Sequence, residues 1–205
     1  MIAIIDYGVG NLFSLSSSLK YLGADCKVTG EAAELRAADK IILPGVGAFG
    51  DAAGRLRQSG LWETVVEEAH KGKYLLGICL GMQLLFDKGY EYGEHAGLGL
   101  IPGEICPLQD DLDEKGLALK VPHIGWNALH IQKQDPLFAH FPQGGYVYYV
   151  HSFYAKGCEE STLAVSDYGL PVTGAVRRGS VYGTQFHPEK SGGAGLGLLK
   201  AFTEL

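Results

Sequence analysis

Closely spaced cysteine pairs are absent from this sequence. The four cysteines stand far apart, at positions 26, 79, 106 and 158, and none belongs to a C-x-x-C motif. Paired cysteines at short spacing are typical of disulfide scaffolds and of structural zinc sites. We therefore expect a reduced, cytoplasmic protein that holds no metal ion and needs no cofactor.

Long apolar runs and clusters of basic residues are also missing. No stretch reaches the roughly 20 apolar residues of a membrane-spanning helix, so we expect no membrane partner. The segment 1–6 has no basic residue and ends in Asp6, which is unlike a secretion signal. The formal net charge is −6 and the longest basic run is Arg177-Arg178, which argues against nucleic acid as a partner.

The first half of the chain alternates strand and helix patterns. We predict strands at 2–5, 24–29, 41–43 and 74–76, separated by helices at 11–22, 49–59 and 61–71. Strands separated by helices form parallel sheets covered on both faces, and right-handed crossovers favour a doubly wound order. With 205 residues, 46% of them apolar, the chain is long enough for one domain spanning 1–205.

The second half changes to short β patterns. We predict strands at 104–106, 129–131, 146–150, 162–166, 173–177 and 180–186, the last two forming a hairpin around Arg178-Gly179. The acidic stretch 109–115 is predicted to be a solvated loop, and 192–204 a final helix. The expected fold is α/β, with three layers and a doubly wound, mostly parallel sheet that has an antiparallel extension.

The segment Gly77-Ile78-Cys79-Leu80-Gly81 joins a predicted strand to a segment, 82–86, that is predicted to begin a helix. A Gly-x-nucleophile-x-Gly turn in this position is the nucleophile elbow, here with cysteine in place of serine. The helix N-terminus beneath the turn favours a thiolate, the reactive form of cysteine. On these five residues alone, a buried cysteine that acts only as a small apolar residue remains the alternative.

A reactive cysteine needs a base, and the base needs an orienting group. His187-Pro188-Glu189 follows the predicted strand 180–186, whose end meets the elbow at the same sheet edge. We expect His187 to take the thiol proton, with Glu189 accepting its other ring N–H. A lone histidine is more often structural, but the pairing with the elbow favours catalysis.

An acyl-transfer site also needs an oxyanion hole. The amide of Leu80 is the expected first donor, and the glycine-rich loop Pro44-Gly45-Val46-Gly47 the expected source of the second. The stretch 45–50 also fits G-x-G-x-x-G, which alone would suggest a dinucleotide site. That alternative is disfavoured because the acidic residues about twenty positions on, Glu67 and Glu68, fall inside a predicted helix.

With these motifs in view, the chain resembles the class I (triad) glutamine amidotransferases. More narrowly, it resembles the family of glutaminase subunits of imidazole glycerol phosphate synthase. The cysteine elbow and the His-Pro-Glu segment are shared by the whole superfamily, whereas the Asp-Tyr-Gly-x-Gly-Asn and Pro-His-Ile-Gly-Trp-Asn segments are specific to the subunit. The matching segments are 5–11, 43–47, 77–83, 97–103, 121–127 and 185–191.

The resemblance implies hydrolysis of L-glutamine to glutamate and ammonia through a thioester on Cys79. It implies a heterodimer with a (β/α)8-barrel cyclase subunit, which receives the ammonia in histidine biosynthesis. It implies that Gly47 and Leu80 form the oxyanion hole, with the peptide near Val46 misoriented until the partner's ligand binds. The implied substrate-binding residues are Gly45, Val46, Gly47, Gln83, His151, Ser152 and Phe153. The implied partner contacts are Asn11, Pro122, His123, Trp126, Tyr148 and Lys190.

Three alternatives stay open beside this interpretation. The glutaminase subunit of pyridoxal phosphate synthase has a similar length, but its distinctive segments are not evident here. A degraded triad would favour a non-catalytic regulatory or nucleotide-binding module, and this triad is intact. A cysteine protease on the same sheet topology is the third alternative, and the glycine-rich loop disfavours it.

Overall fold

The computed structural model describes residues 1–205. Its first half alternates strands and helices, as predicted. The strands are β1 (Ile2–Ile5), β2 (Cys26–Thr29), β3 (Lys40–Leu43) and β4 (Tyr74–Ile78), and the helices are α1 (Leu12–Tyr21), α2 (Ala32–Ala37), α3 (Phe49–Gln58), α4 (Trp62–His70) and α5 (Leu80–Leu84).

The second half is mostly β-structure. It contains β5 (Phe86–Gly89), β6 (His95–Ala96), β7 (Ile101–Pro107), α6 (Leu108–Glu114), β8 (His123–Ala128), β9 (His130–Ile131), β10 (Tyr146–His151), β11 (Phe153–Lys156), β12 (Thr162–Asp167), β13 (Pro171–Arg178), β14 (Val181–Thr184) and α7 (Gly192–Glu204). Short 3₁₀ turns cover Pro136–Phe138 and Pro188–Lys190.

One eight-stranded sheet organises the molecule, in the order β2-β1-β3-β4-β14-β13-β12-β9. The pairings from β2 to β14 are parallel, and those from β14 to β9 are antiparallel. This confirms the predicted doubly wound, mostly parallel sheet with an antiparallel extension. Two smaller sheets flank it, one pairing β10 with β8 and one in the order β11-β7-β5-β6.

The strands bury side chains on both faces because helices cover both sides. Alternate residues of β1 divide between two apolar clusters, with Ala3 and Ile5 in one and Ile2 and Ile4 in the other. The first cluster packs beneath α2, α3, α4 and α5, and the second beneath α1 and α7. The result is the expected three-layer arrangement, which directs the carboxyl ends of β3, β4 and β14 to one edge.

Two local predictions were wrong. The acidic stretch 109–115 is not a solvated loop, because helix α6 covers most of it. Leu108 and Leu112 lie four residues apart on one face of that helix and are buried with Tyr154. Asp110, Asp113 and Glu114 are exposed, whereas Asp111 accepts hydrogen bonds from Tyr154 and Lys156. The helix after the elbow is also short, since it ends at Leu84 and the chain enters β5 at Phe86.

Candidate active site

Cys79 occupies a strained turn between β4 and α5. Its φ is +54°, in the left-handed region that non-glycine residues seldom adopt, and its amide donates to the Thr184 carbonyl at 2.7 Å. A Cβ at Gly77 would lie 2.7 Å from the Met82 Cα, and one at Gly81 would overlap the Leu43 carbonyl oxygen. Both glycines of the elbow are therefore required sterically, and the turn presents the cysteine at the carboxyl edge of the sheet.

His187 and Glu189 lie at the same edge because β14 runs parallel to β4 beside it. Nδ1 of His187 is 2.9 Å from Oε1 of Glu189, and both side chains are buried. The Ser191 hydroxyl donates to the His187 carbonyl at 2.6 Å and accepts from the Tyr148 amide at 3.0 Å, which fixes the turn. The structure thus brings the imidazole and the carboxylate together in the arrangement expected of an oriented base.

The second ring nitrogen of His187, Nε2, has no hydrogen-bond partner although it is buried. Burial lowers the pKa of His187, but Cys79 and Glu189 outweigh it and raise that pKa to about 9. The sulfur is therefore close to the ring and is one of the main causes of its raised pKa. The arrangement stabilises a protonated imidazole that can give its Nε2 proton to a group entering the cavity.

A cavity of about 390 Å³ opens over the sulfur. This volume suits an amino-acid substrate. A larger cleft of about 570 Å³ lies near β11 and β12, but it contains no histidine to serve as a base. The cavity over the sulfur is lined by Val46, Gly47, Cys79, Leu80, Gln83, Glu91, Pro122, Val150, His151, Ser152, Phe153, His187 and Lys190.

The glycine-rich loop after β3 lies directly against the elbow. A Cβ at Gly45 would come within 2.7 Å of the Gly81 amide nitrogen, so only glycine allows this approach. The Tyr7 hydroxyl anchors the loop by donating to the Pro44 carbonyl at 2.8 Å. Gly47, with φ +96°, borders the cavity opposite Leu80, whose amide belongs to the first turn of α5 and has no intrahelical acceptor.

Gln83 is buried and tied to two neighbours. Its Nε2 donates to the Phe153 carbonyl at 3.1 Å and to Oε1 of Gln185 at 3.0 Å. Its Oε1 makes no hydrogen bond within the protein and remains available to a donor in the cavity. The segment 151–153, which the resemblance implies to bind substrate, forms part of the cavity wall.

Sequence reasoning assigned no role to Glu91 or Gln185. Glu91 lines the cavity, where its Oε2 accepts the Phe49 amide at the start of α3 at 2.7 Å. It is the one carboxylate among the lining residues, and it follows Cys79 by twelve positions in a turn with no motif to reveal it. Gln185 is fully buried, and its place between Gln83 and the sulfur depends on two strands meeting, so no local signal could have found it.

The predicted partner contacts divide into exposed and buried residues. Trp126 is 55% exposed on β8, with Tyr148 beside it at a ring-centroid distance of 6.1 Å. Pro122 and Lys190 are exposed at the mouth of the cavity, and Asn11 caps helix α1 by accepting the Ser14 amide.

His123 does not fit the predicted interface. Its side chain is 3% exposed and stacks against Tyr149 and Tyr168 at 4.7 and 4.0 Å, so it faces the interior. The neighbouring side chains alternate along β8, which turns Ile124 and Trp126 outward instead.

Comparison with known proteins agrees with this geometry. The model of the family "Glutamine amidotransferase class-I" matches residues 3–203. The chain belongs to the class I glutamine amidotransferase family. Two solved structures share the fold over nearly the whole chain: one described as a glutamine amidotransferase (TM-score 0.76, 20% identity, covering 100% of this chain and 98% of that one) and PurLQS from Thermotoga maritima (TM-score 0.76, 19% identity, 99% and 97%).

Proteins similar in sequence show to which group within this family the chain belongs. A protein of Wolinella succinogenes named imidazole glycerol phosphate synthase subunit HisH is 50% identical over 206 residues, covering 100% of both chains. Proteins of the same name from Oceanobacillus iheyensis (50% identity, covering 100% of this chain and 99% of that one) and Bacillus subtilis (47%, 100% and 96%) are similar. Within the class I amidotransferases, the chain therefore belongs with the HisH subunits. None of its helices combines the length and apolarity needed to cross a membrane.

Proposed function

We propose that this chain is the glutaminase subunit of an imidazole glycerol phosphate synthase. It hydrolyses L-glutamine to glutamate and ammonia, and it passes the ammonia to a cyclase subunit in histidine biosynthesis. The observation that carries the proposal is the strained Cys79 elbow facing a cavity that also holds the free Nε2 of a Glu189-bound His187. Its free cysteines suit the reducing cytoplasm, where we expect the reaction to occur.

The first half-reaction forms a thioester. The Cys79 sulfur attacks the side-chain amide carbon of glutamine, and the carbonyl oxygen takes up the negative charge. Leu80 and Gly47 line the cavity, and we assign their amides as the donors to that oxygen. The carbon–nitrogen bond then breaks, His187 gives its Nε2 proton to the leaving nitrogen, and ammonia departs.

The second half-reaction releases glutamate. His187, now neutral, takes a proton from water, and the hydroxyl adds to the thioester carbon. The carbon–sulfur bond breaks and the thiolate is restored. Glu189 accepts the Nδ1 hydrogen throughout, which keeps Nε2 directed at the reacting atoms.

The cavity also has groups for the amino-acid end of glutamine. Glu91 supplies the only lining carboxylate, and we assign it to the α-ammonium group. Oε1 of Gln83 is unused within the protein and can accept a second hydrogen bond. The backbone of 151–153 and of the loop Gly45-Val46-Gly47 encloses the rest of the substrate.

The partner is a (β/α)8-barrel cyclase subunit, and we place its contact surface around the cavity mouth. Val46 lines the cavity and is 41% exposed, and Lys190 adds a positive charge to the same lining. Ile124 and Trp126, on β8, are 58% and 55% exposed. Aromatic residues and a polar rim of this kind are typical of protein interfaces.

The test is a glutaminase assay with and without a cyclase subunit and its nucleotide ligand. We expect glutamate release to rise strongly in the complex, and Cys79→Ala to abolish it while complex formation persists. Cys26→Ala, which lies outside the cavity, is the matched control and should keep full activity. Full activity in Cys79→Ala would disprove the assigned nucleophile, and a folded chain that no cyclase stimulates would indicate a different amidotransferase.

A further inference from the structure

The sulfur of Cys79 has two hydrogen-bond contacts within the protein, and they differ in direction. The Val150 carbonyl oxygen lies 4.0 Å away and can only accept, so it suits the neutral thiol. Nε2 of Gln185 lies 3.8 Å away and can only donate, so it suits the thiolate. His187 acts on the sulfur through its charge, whereas Gln185 is the side chain whose N–H lies within hydrogen-bond geometry of the sulfur.

The direction of the Gln185 amide follows from a backbone carbonyl. The Phe153 carbonyl can only accept, so the atom of Gln83 that faces it must be the amide nitrogen. That nitrogen also faces Gln185, which must therefore present its oxygen to Gln83. The remaining Gln185 group, the NH₂, is then directed at the sulfur.

A second chain of groups supports the same carbonyl from the other side. Nδ1 of His151 lies 2.9 Å from the Phe153 oxygen and must donate to it, which leaves His151 Nε2 as an acceptor for Nδ1 of His123 at 3.0 Å. Nε2 of His123 then faces the Asn127 amide at 3.4 Å, and that amide also donates to the Asp167 carbonyl at 2.8 Å. Every donor in this second chain has an acceptor, so His151, His123 and Asn127 each have one favoured orientation.

We propose that Gln185 is a positioning residue for the nucleophile: its amide, oriented through Gln83 and the Phe153 carbonyl, donates to the Cys79 thiolate and holds the sulfur toward the cavity. The proposal deepens the function proposed above and rests on it for the identity of the reaction. A hydrogen bond to the charged form stabilises that form. Gln185 thus supplies a donor before substrate arrives, leaving Nε2 of His187 free to serve the leaving nitrogen.

The variant Gln185→Met tests this because methionine has a similar length and no N–H. The measurement is the rate of Cys79 alkylation by iodoacetamide as a function of pH, which requires neither glutamine nor the partner. We expect the alkylation profile to move to higher pH, so that the rate at pH 7 falls about threefold or more, because the thiolate loses a hydrogen-bond donor. The titratable groups that face the sulfur or its cavity are unchanged in this variant: Tyr7, Glu91, His151, His187, Glu189 and Lys190.

Two further variants keep the test decisive. Gln185→Asn retains a polar amide but is one methylene too short to reach the sulfur, so its alkylation profile should shift in the same direction. It serves as the test if Gln185→Met does not fold. Gln132→Met, at a glutamine outside the cavity, should leave the profile unchanged. A folded Gln185→Met or Gln185→Asn protein with the parent's alkylation profile would overturn the proposal, even if its melting temperature were lower.

The outcome is separable from that of the proposed function. A parent chain that never releases glutamate, with or without a cyclase, would refute the glutaminase assignment but leave the alkylation comparison valid. An active parent whose Gln185 variants keep the parent's alkylation profile would refute only the role of Gln185.

Discussion

Mild acid should destabilise this protein through its buried histidine pair. His123 and His151 are 3% and 5% exposed, and they share a hydrogen bond between neutral rings. Burial lowers the pKa of His123 from 6.5 to about 4. Burial, reinforced by His123, lowers the pKa of His151 from 6.5 to about 3. Between pH 6.5 and about 4, the two histidines therefore stay neutral in the folded protein but become protonated in the unfolded chain.

The sign and size of the effect follow from this difference. Above pH 6.5 both states are largely neutral, so the pair contributes its full stability there. As pH falls below 6.5 the unfolded chain gains protons first, and each histidine removes about 1.4 kcal/mol of stability per pH unit. Between pH 7 and pH 5, which is above both folded-state pKa values, the loss is about 2 kcal/mol per histidine and about 4 kcal/mol for the pair.

Other titrating groups leave this pH window nearly clear. The pKa of His187 is raised, so its contribution is fully present below pH 6.5 and is lost only as pH rises toward 9. The carboxyls whose pKa is lowered lose their contribution only as pH falls below about 4.5. These are Glu34, Asp39, Glu68, Asp111 and Glu204.

The assay is urea unfolding, followed by tryptophan fluorescence at pH 7 and pH 5 at constant ionic strength. We expect the free energy of unfolding to fall by about 4 kcal/mol in the parent and by about 2 kcal/mol in His123→Gln, which has one titrating ring fewer. An exposed histidine, His130, provides the control, since His130→Gln should show the parent's loss. Equal losses in the parent and His123→Gln would refute the reasoning.

Two further substitutions test the cavity and the elbow. Glu91→Gln keeps the acceptor for the Phe49 amide but removes the charge assigned to the substrate ammonium, so KM for glutamine should rise about tenfold or more with kcat little changed. The control is Glu94→Gln, at an exposed carboxylate outside the cavity, whose KM should match the parent's. Steady-state kinetics in which Glu91→Gln also keeps the parent's KM would contradict the role assigned to Glu91. Gly81→Ala should lower the free energy of unfolding by about 2 kcal/mol or more, because its Cβ would overlap the Leu43 carbonyl. Gly54→Ala in α3, with open space around its Cβ, should instead stabilise by about 0.5–1 kcal/mol, and a Gly81→Ala protein as stable as the parent would disprove the steric argument.

The strand–helix alternation of the first half was predictable because each pattern is local. β1, β3 and β4 are apolar on both faces, which is typical of strands covered by helices on both sides. The acidic stretch 109–115 misled the prediction because it contains a single leucine, Leu112. The helix becomes apparent only when Leu112 and the preceding Leu108 are seen to pack against Tyr154. Helix α5 is short because the chain leaves it at Leu85 to form strand β5 of a second sheet. No periodic pattern within the helix segment predicts where that strand begins.

The amino-acid sequence by itself determined the elbow and the His187–Glu189 pair. Each is a short segment whose glycine, proline and polar residues fix local geometry, and each stands at the end of a strand. Only the tertiary structure decided that Gln185 reaches the sulfur, that Glu91 borders the cavity and that His123 lies inside. These facts depend on which strands become neighbours and how closely they pack, and contacts between residues distant in the chain leave no periodic signal in the sequence.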